Sequence, residues 1–330
     1  MSESMAEQTE SANPPAQPRK MSRRKFFAAL GGAVAVGGVG SYAWRIEPHW
    51  LEVVQRDLPL ANLPADLVGK TVALISDLHV GPAVDDDYLR EAMDRVNGLR
   101  PDLVLVAGDL MSAHRDDHSL NVASLLGRLN KPSLGIFAVP GNHDYGFGWL
   151  KPALADRLTE RLAGVGIRLL RNELVRIGGG GAGSKGRLQL IGVDEFWAND
   201  GFTDESGPGQ FFKPEKPLAA LDPAAPAVVL IHNPDAVDVD RWGDFRGWFL
   251  CGHTHGGQVR LPLIGPILLP IKNRRYSMGE VDLGNGRRLY VNRGVGYLRR
   301  IRLLCRPEIT LFRMIEALAT PLKQTPTTSR

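Results

Sequence analysis

The 330-residue chain is long enough for one large domain or two small ones, and its 43% hydrophobic content allows a substantial buried core. Its 40 Lys and Arg residues against 36 Asp and Glu leave a net charge of only +4, with no long basic run after residue 30, so its charge does not indicate nucleic-acid binding. Two cysteines are too few for a disulfide framework. A single bridge between Cys251 and Cys305 stays open, but Cys251 ends an apolar run, which favours two separate buried thiols.

The N-terminus combines a polar tail with a basic and then apolar segment. Residues 1–20 are rich in Pro, Ser, Glu and Gln, which predicts disorder. Residues 21–44 contain the string SRRKFF and then a stretch rich in Ala, Gly and Val, an order typical of a twin-arginine export signal or anchor. The stretch 26–44 has 19 residues, just enough to span a bilayer.

Cleavage of this segment at Ser41-Tyr42-Ala43 and its retention as a membrane anchor are both open. A chance arginine pair in a cytoplasmic protein is the alternative, which the agreement of charge, apolar length and position disfavours. We therefore expect an exported or membrane-associated protein on the periplasmic or cell-envelope side, with the twin-arginine export machinery as a partner.

Alternating strand and helix patterns follow Trp50. Short apolar runs predict strands at 70–76, 102–107, 135–139, 167–170, 174–177, 188–193, 227–231, 248–251, 289–292 and 309–312. Helical spacing predicts helices near 88–99, 119–129 and 150–163. The glycine-rich stretch 178–186 predicts a hairpin loop, because no helix start follows it as a phosphate-binding loop would require. The pattern predicts one α/β domain over residues 50–315 and a disordered tail over 316–330.

Polar motifs follow five of the predicted strands: Asp77-Leu78-His79, Gly108-Asp109, Gly141-Asn142-His143-Asp144, Ile231-His232-Asn233 and Gly252-His253-Thr254-His255. In an open α/β sheet, ligands bind beyond the carboxyl ends of the strands. We therefore expect these side chains to meet at one edge of an open sheet and to form one site.

The residue types indicate two divalent metal ions. Asp77 and His79 would point the same way on an extended backbone, and the carboxylate of Asp109 could bridge two ions. The mixed nitrogen and oxygen set suits Mn, Fe or Zn. Two metals roughly 3.5–4 Å apart bind phosphate oxygens and lower the pKa of a bridging water to about 7, which makes it a nucleophile. His143 is placed to stabilise charge or to protonate the leaving group.

The order D-x-H, G-D, G-N-H-D, H, G-H-T-H resembles the calcineurin-like metallophosphoesterase family over roughly residues 70–312. The resemblance implies a four-layer α/β fold with two mixed β-sheets sandwiched between helices, in place of the open sheet. It also implies a dinuclear-metal hydrolase of phosphoesters with His143 as the catalytic histidine. One metal would take Asp77, His79, Asp109 and His255, and the other would take Asp109, Asn142, His232 and His253.

One position departs from the family pattern. Many members continue the second motif as G-D-x-x-D, where the second Asp orients the catalytic histidine, and this chain has Ser112 there. His114 and Asp144 are the two candidates to replace that carboxylate.

The longer string GHTHGGQVRLP is similar to a narrower group, the bacterial exported or membrane-associated phosphoesterases of the YaeI/YkuE type. Some relatives in that group cleave the pyrophosphate of UDP-2,3-diacylglucosamine. The uncharged segment 261–271 follows the last motif and precedes Lys272, Arg274 and Arg275. It is either a lipid-facing lip beside the site or a loop packed on the core, and the second interpretation is slightly favoured.

Three functions remain for this sequence. The first is a metal-dependent hydrolase of phosphodiesters or phosphomonoesters, acting on a phosphorylated small molecule or a phospholipid-like substrate. The second is a lipid-nucleotide pyrophosphatase of lipid A synthesis, and the third is a non-catalytic scaffold, which would be expected to lose ligands that this chain retains. Asp194 and Asn233 could lie near the substrate or could be turn formers.

Overall fold

The computed structural model describes residues 23–112, 117–178, 187–197 and 209–317. The chain divides into a unit that ends at Ser41 and a larger unit that begins at Tyr42. Helix α1, Arg23–Arg45, covers most of the predicted signal or anchor. Among the described residues, none of the helices combines the length and apolar character needed to cross a bilayer. The predicted polar tail 1–20, most of the glycine-rich loop and most of the predicted C-terminal tail lie outside the described residues.

The first sheet has six strands in the order β1-β14-β2-β3-β4-β5. Their bounds are β1 Glu52–Leu60, β2 Thr71–Ile75, β3 Leu103–Ala107, β4 Ile136–Val139, β5 Arg168–Leu169 and β14 Glu308–Glu316. Strands β2 to β5 run parallel, whereas β14 pairs antiparallel with β2 and parallel with β1. The carboxyl ends of β2, β3 and β4 therefore meet at one edge.

The second sheet also has six strands, in the order β12-β13-β9-β8-β7-β6. Their bounds are β6 Glu173–Ile177, β7 Leu188–Gly192, β8 Ala227–Leu230, β9 Gly247–Cys251, β12 Gly279–Gly284 and β13 Arg287–Val291. Strands β7, β8, β9 and β13 are parallel, and β6 pairs antiparallel with β7, as the predicted hairpin requires. A separate small hairpin pairs β10, Arg260–Leu261, with β11, Gly265–Pro266.

The helices of the larger unit are α2 Asp86–Leu99, α3 Ser119–Leu126, α4 Pro152–Gly164 and the short α5 Glu215–Leu218. Helix α2 starts two residues before the predicted 88, because the Asp85 carboxylate accepts hydrogen bonds from the backbone N–H groups of Asp87 and Tyr88. It ends at Arg100, whose left-handed backbone precedes Pro101.

Each sheet is apolar on both faces, and this decides the layer order. Leu105 of β3 packs between the sheets with Val228 of β8 and Leu250 of β9. The neighbouring Val106 faces the other way and packs with the helices α2 to α4. Sheets buried on both faces need three apolar layers, so the fold is a sandwich of two mixed sheets as the family resemblance implies. The open sheet first expected is wrong, because the strands after β5 build a second sheet.

The outer face of the second sheet is covered differently from that of the first. Its core contains Phe212, Trp242 and Phe249, whose rings pack mostly edge to face. These residues come from strand β9 and from the long connections between strands. Cys251 and Cys305 are both buried free thiols, which confirms the favoured interpretation of the cysteines.

Candidate metal centre

The first group of candidate ligands contains Asp77, His79 and His255, all of them buried. The Nε2 atoms of His79 and His255 lie 3.0 Å apart. The Nε2 atom of His255 also lies 3.4 Å from Asp77 Oδ1. Asp77 and His79 follow strand β2 and His255 follows strand β9, so the ends of strands from both sheets together form the group.

The second group contains Asp109, His232 and His253, again buried. His232 Nε2 lies 3.2 Å from Asp109 Oδ2 and 3.1 Å from His253 Nδ1. The same Oδ2 atom of Asp109 lies 3.6 Å from His79 Nε2 in the first group. One carboxylate oxygen therefore faces both groups, which is the position a bridging ligand needs.

Asn142 and His143 complete the set at the end of β4. The side-chain oxygen of Asn142 is buried and has no hydrogen-bond partner among the described residues, although buried polar atoms normally have one. Binding of this oxygen to a metal ion would explain why it has no such partner. The backbone N–H of His143 donates to Asp109 Oδ1 over 2.9 Å, and its half-buried ring meets the ring of His79 edge-on.

Backbone or hydroxyl groups hold the rings of His79, His232 and His253 from behind. His232 Nδ1 bonds the Ala107 carbonyl at 2.8 Å, and His253 Nε2 bonds the Pro270 carbonyl at 3.0 Å. With the outer nitrogen of each ring donating, the inner nitrogen keeps its lone pair for a metal. Imidazole nitrogens that face one another at about 3 Å, together with buried carboxylates, fit two divalent cations of the Mn, Fe or Zn type.

The pKa values of two ligand rings and of the buried carboxylates agree with this fit, whereas Asp109 raises the pKa of His232 above its usual value. Burial and the nearby His232 lower the pKa of His253 to about 3, and burial and His79 lower the pKa of His255 well below its usual value, so both rings are neutral as ligands must be. Burial alone would raise the pKa of Asp109, but the surrounding histidines hold it well below its usual value. Burial raises the pKa of Asp77 to about 7. An adjacent cation would stabilise the ionised carboxylate and lower this pKa again.

The ligand backbone differs from the extended form expected from sequence. Asp77 and His79 have φ angles of 53° and 50°, and Asp109, His253 and His255 have φ angles of 50°, 72° and 48°. All five lie in the left-handed region, which non-glycine residues rarely adopt and which concentrates at functional sites. The expectation that alternation along a strand would align Asp77 with His79 is wrong, because tight turns bring them together.

Two motif positions require glycine because neighbouring side chains approach the backbone closely there. A Cβ on Gly108 would lie 2.5 Å from the His232 ring, and a Cβ on Gly141 would lie 2.2 Å from Asp109 Oδ1. No side chain fits at either position.

Ser112 and Asp144 make contacts that support the candidate centre. Ser112 Oγ lies 3.1 Å from His79 Nδ1, so it supports a candidate ligand. The buried carboxylate of Asp144 accepts hydrogen bonds from the backbone N–H groups of Met111 (2.9 Å), Leu110 (3.2 Å) and Gly141 (2.8 Å). Asp144 thus ties the second motif to the third. His114 lies outside the described residues.

Asp194 and Asn233 are engaged in structural contacts. Asp194 accepts hydrogen bonds from Tyr145 Oη at 2.5 Å and from Arg171 Nε at 2.8 Å. Asn233 accepts a hydrogen bond from the backbone N–H of Asp235 and so starts a short helical turn, which agrees with the turn-former interpretation.

Sequence reasoning missed an aromatic pair beside the second group. The Trp197 ring meets the His253 ring edge-on at 4.7 Å between centroids, and Trp149 stacks on Trp197 at 5.1 Å. The two tryptophans come from separate connections without a regular pattern, so only the fold brings them together.

Segment 261–271 also differs from the favoured expectation. The side chains of Leu263, Ile264 and Leu268 are 108%, 73% and 78% exposed, so these three do not pack on the core, whereas Ile271 at the end of the segment does. Its Pro270 carbonyl nevertheless bonds the candidate ligand His253. An exposed apolar segment therefore adjoins the metal centre.

A two-sheet sandwich whose strand ends carry two adjoining sets of Asp and His ligands defines a metal-dependent phosphoester hydrolase. The chain belongs to the calcineurin-like phosphoesterase family, whose sequence profile matches residues 70–257. It is 32% identical to phosphodiesterase YaeI of Escherichia coli, over 89% of this chain and 100% of that protein. It is equally identical to the uncharacterized metallophosphoesterase YkuE of Bacillus subtilis, over 89% of this chain and 98% of that protein.

More distant similarities include UDP-2,3-diacylglucosamine pyrophosphatase LpxG of Chlamydia muridarum, which is 26% identical over 86% of this chain and 95% of that protein. Among solved structures, a dimetal phosphatase from Danio rerio aligns with a TM-score of 0.41 at 14% identity, covering 69% of this chain and 88% of that one.

Proposed function

We propose that this protein hydrolyses phosphodiesters or phosphomonoesters with two divalent metal ions, manganese being the first to test. The observation that carries the proposal is the Asp109 Oδ2 atom, which lies 3.6 Å from His79 Nε2 and 3.2 Å from His232 Nε2. Two divalent ions bound by these residues would supply Lewis-acid stabilisation of the phosphate and would activate a water molecule as the nucleophile at neutral pH.

The residues divide the work according to their positions. Asp77, His79 and His255 would hold one ion, and His232, His253 and Asn142 would hold the other, with Asp109 shared between them. These seven side chains fix where the phosphate binds. Because backbone carbonyls bond the rings of His232 and His253 from behind, little rearrangement of these two rings is needed when substrate binds.

His143 is the proposed general acid. Its ring is half-buried at the edge of the centre, and its backbone N–H bonds the shared carboxylate of Asp109, which fixes its position relative to both groups. From there the imidazolium can give a proton to the leaving oxygen as the phosphoester bond breaks.

The test is a turnover screen of the purified protein loaded with Mn, comparing an aryl phosphate, an aryl phosphodiester and UDP-2,3-diacylglucosamine. Hydrolysis of an aryl ester that is lost in Asp109→Asn supports the proposal. A metal-loaded, folded protein that leaves all three substrates intact would contradict it.

A lipid-nucleotide pyrophosphatase is the second candidate. The exposed apolar segment 261–271 beside His253 favours it, because a substrate with acyl chains needs apolar surface next to the phosphate site. Faster turnover of UDP-2,3-diacylglucosamine than of either aryl ester would support this candidate. The third candidate, a non-catalytic scaffold, is disfavoured because the full ligand set and His143 are retained.

We also propose export through the twin-arginine route. The basis is the Arg23–Arg24 pair ahead of the apolar segment. Replacement of both arginines by lysine should move the protein from the cell-envelope fraction to the cytoplasm, and an unchanged distribution would contradict export by this route.

A further inference from the structure

Large apolar side chains are exposed at three places in the larger unit. The first is the β10–β11 hairpin with the residues that follow it, where Leu263, Ile264 and Leu268 are largely exposed. The second is the loop 298–304, where Leu298, Ile301 and Leu304 are 43%, 41% and 57% exposed. The third is Trp44, which is 50% exposed. Apolar side chains exposed together mark an interaction site more often than scattered ones do.

Backbone hydrogen bonds join the hairpin to the loop. The N–H of Arg260 donates to the Leu303 carbonyl at 2.9 Å, and the N–H of Leu303 donates to the Gln258 carbonyl at 2.9 Å. The side-chain amide of Gln258 also donates to the carbonyls of Arg299 and Ile301. The hairpin and the loop are therefore one connected platform.

The same loop reaches the third segment. The N–H of Arg302 donates to the Ala43 carbonyl at 2.9 Å, and the guanidinium of Arg300 lies 5.8 Å from the centre of the Trp44 ring. Arg45 lies over the same ring at 5.1 Å. We define the hairpin, the loop and Trp44 together as the apolar platform.

Basic side chains surround the apolar platform without acidic ones in its own segments. Lys272, Arg274, Arg275, Arg299 and Arg300 are exposed, and residues 258–275 and 298–304 contain no Asp or Glu. Arg274 is held against the hairpin by a 2.6 Å hydrogen bond to the Pro266 carbonyl. This arrangement carries a strong local positive charge in a protein whose net charge is only +4.

We propose that the apolar platform docks onto an anionic lipid bilayer, with its aliphatic side chains inserted among the headgroups and its basic side chains bound to lipid phosphates. Exposed Leu and Ile, an edge Trp and basic segments that contain no Asp or Glu of their own are complementary to an anionic membrane surface, although Asp235 and Asp238 bond the backbone or side chain of residues 272–273 from a neighbouring element. A second copy of the chain would bring the same positive charge to the contact, which disfavours self-association.

Docking of this platform would bring the metal centre to the membrane surface. The Pro270 carbonyl bonds His253 at 3.0 Å, and the N–H of Gln258 donates to the His255 carbonyl at 3.0 Å. Both metal groups are thus tied directly to the platform. That a phosphate of a membrane-embedded substrate is hydrolysed there rests on the proposed function, whereas the docking itself does not.

The test is flotation of the full-length protein with two kinds of vesicle, pure phosphatidylcholine and equal parts of phosphatidylcholine and phosphatidylglycerol. The apolar variant is Ile264→Ser with Leu268→Ser, and the matched control is Val68→Ser with Leu120→Ser, which are 50% and 59% exposed elsewhere on the protein. We expect the apolar variant to lower the partition coefficient onto anionic vesicles by about tenfold or more, and the control to match the unmodified protein.

A charge variant separates the two contributions. Lys272→Gln with Arg275→Gln should weaken binding to anionic vesicles, with little effect on the weaker binding to phosphatidylcholine. Equal binding by the apolar variant and the unmodified protein would overturn the proposal, since another part of the chain would then carry the affinity. An unmodified protein that does not float with anionic vesicles would overturn it as well. A change from dimer to monomer in the apolar variant, without a change in flotation, would assign the platform to a second copy instead.

Turnover of a soluble aryl phosphodiester by the unmodified protein is measured separately. Absence of that turnover contradicts the proposed function and leaves the docking result standing, so the two failures are distinguishable.

Discussion

Replacement of Ser112 by alanine removes one hydroxyl and little else. Ser112 Oγ lies 3.1 Å from Nδ1 of the fully buried His79. When Nε2 of that ring faces a metal, Nδ1 carries the proton and donates it to the serine. The variant therefore takes away a support of one candidate ligand while the ligand itself stays.

The size of the effect follows from the burial of the two partners. Loss of a group that orients a metal ligand lowers metal affinity by about 10–100-fold. Ser112 is only half-buried, so water can partly replace its oxygen, and the lower end applies. We expect about tenfold weaker binding, or about 1.4 kcal/mol, for one of the two metals. Ser112→Asp, which restores the carboxylate seen in many family members, should bind that metal at least as tightly as the unmodified protein.

The assay is competition with a chromophoric chelator, which gives the affinity of each metal site separately. Ser112→Ala should bind one equivalent of Mn normally and the other about tenfold more weakly. Two unchanged affinities would refute the role of Ser112 behind His79. If both affinities fell together with the melting temperature, the serine would act on the fold and not on one ligand.

Four further predictions concern the same centre. His143→Gln should retain two metals and lose about 10²–10⁴-fold in kcat on an aryl phosphodiester, and unchanged turnover would remove His143 from the chemistry. Asp144→Asn should lower the free energy of unfolding by about 1–3 kcal/mol in urea titrations, because one backbone N–H loses its acceptor; a stability equal to that of the unmodified protein would contradict this. Gly141→Ala should abolish metal binding, because the added methyl group clashes with Asp109, the ligand that both metals share; a normal metal content by elemental analysis would count against this. Chelation of the metals should lower the melting temperature by about 5 °C or more, and a chelator-insensitive melting curve would argue against metals bound to the native state.

Much of the first sheet could be predicted from local pattern. Strands β2 and β3 are runs of Val, Leu, Ile and Ala buried on both faces, and such runs are recognisable without tertiary context. Strands β1 and β12 were missed because they lie at sheet edges, where β1 has three consecutive exposed polar residues and β12 alternates half-buried with exposed ones. Local pattern likewise could not predict that the later strands form a second sheet, because an apolar run does not show which strand it pairs with.

The candidate site shows the same division. The positions of Asp77, Asp109 and Asn142 after parallel strands of one sheet, and of His232 and His253 after parallel strands of the other, place each set at one sheet edge. Packing of the two sheets then brings both sets into one site. The tertiary structure decided the turns that aim these side chains, since a left-handed φ at a non-glycine residue costs energy and persists only where surrounding contacts enforce it.

Residue identities by themselves therefore determined which groups could bind two metals, because the chemistry of a ligand belongs to its side chain. Only the fold decided which neighbouring residues contact and position those groups. Ser112 supports His79, Trp197 lies against His253, and most apolar side chains of segment 261–271 are exposed to solvent. These facts depend on contacts between residues distant in sequence, and long-range contacts are set by the packing of the two sheets and not by local pattern.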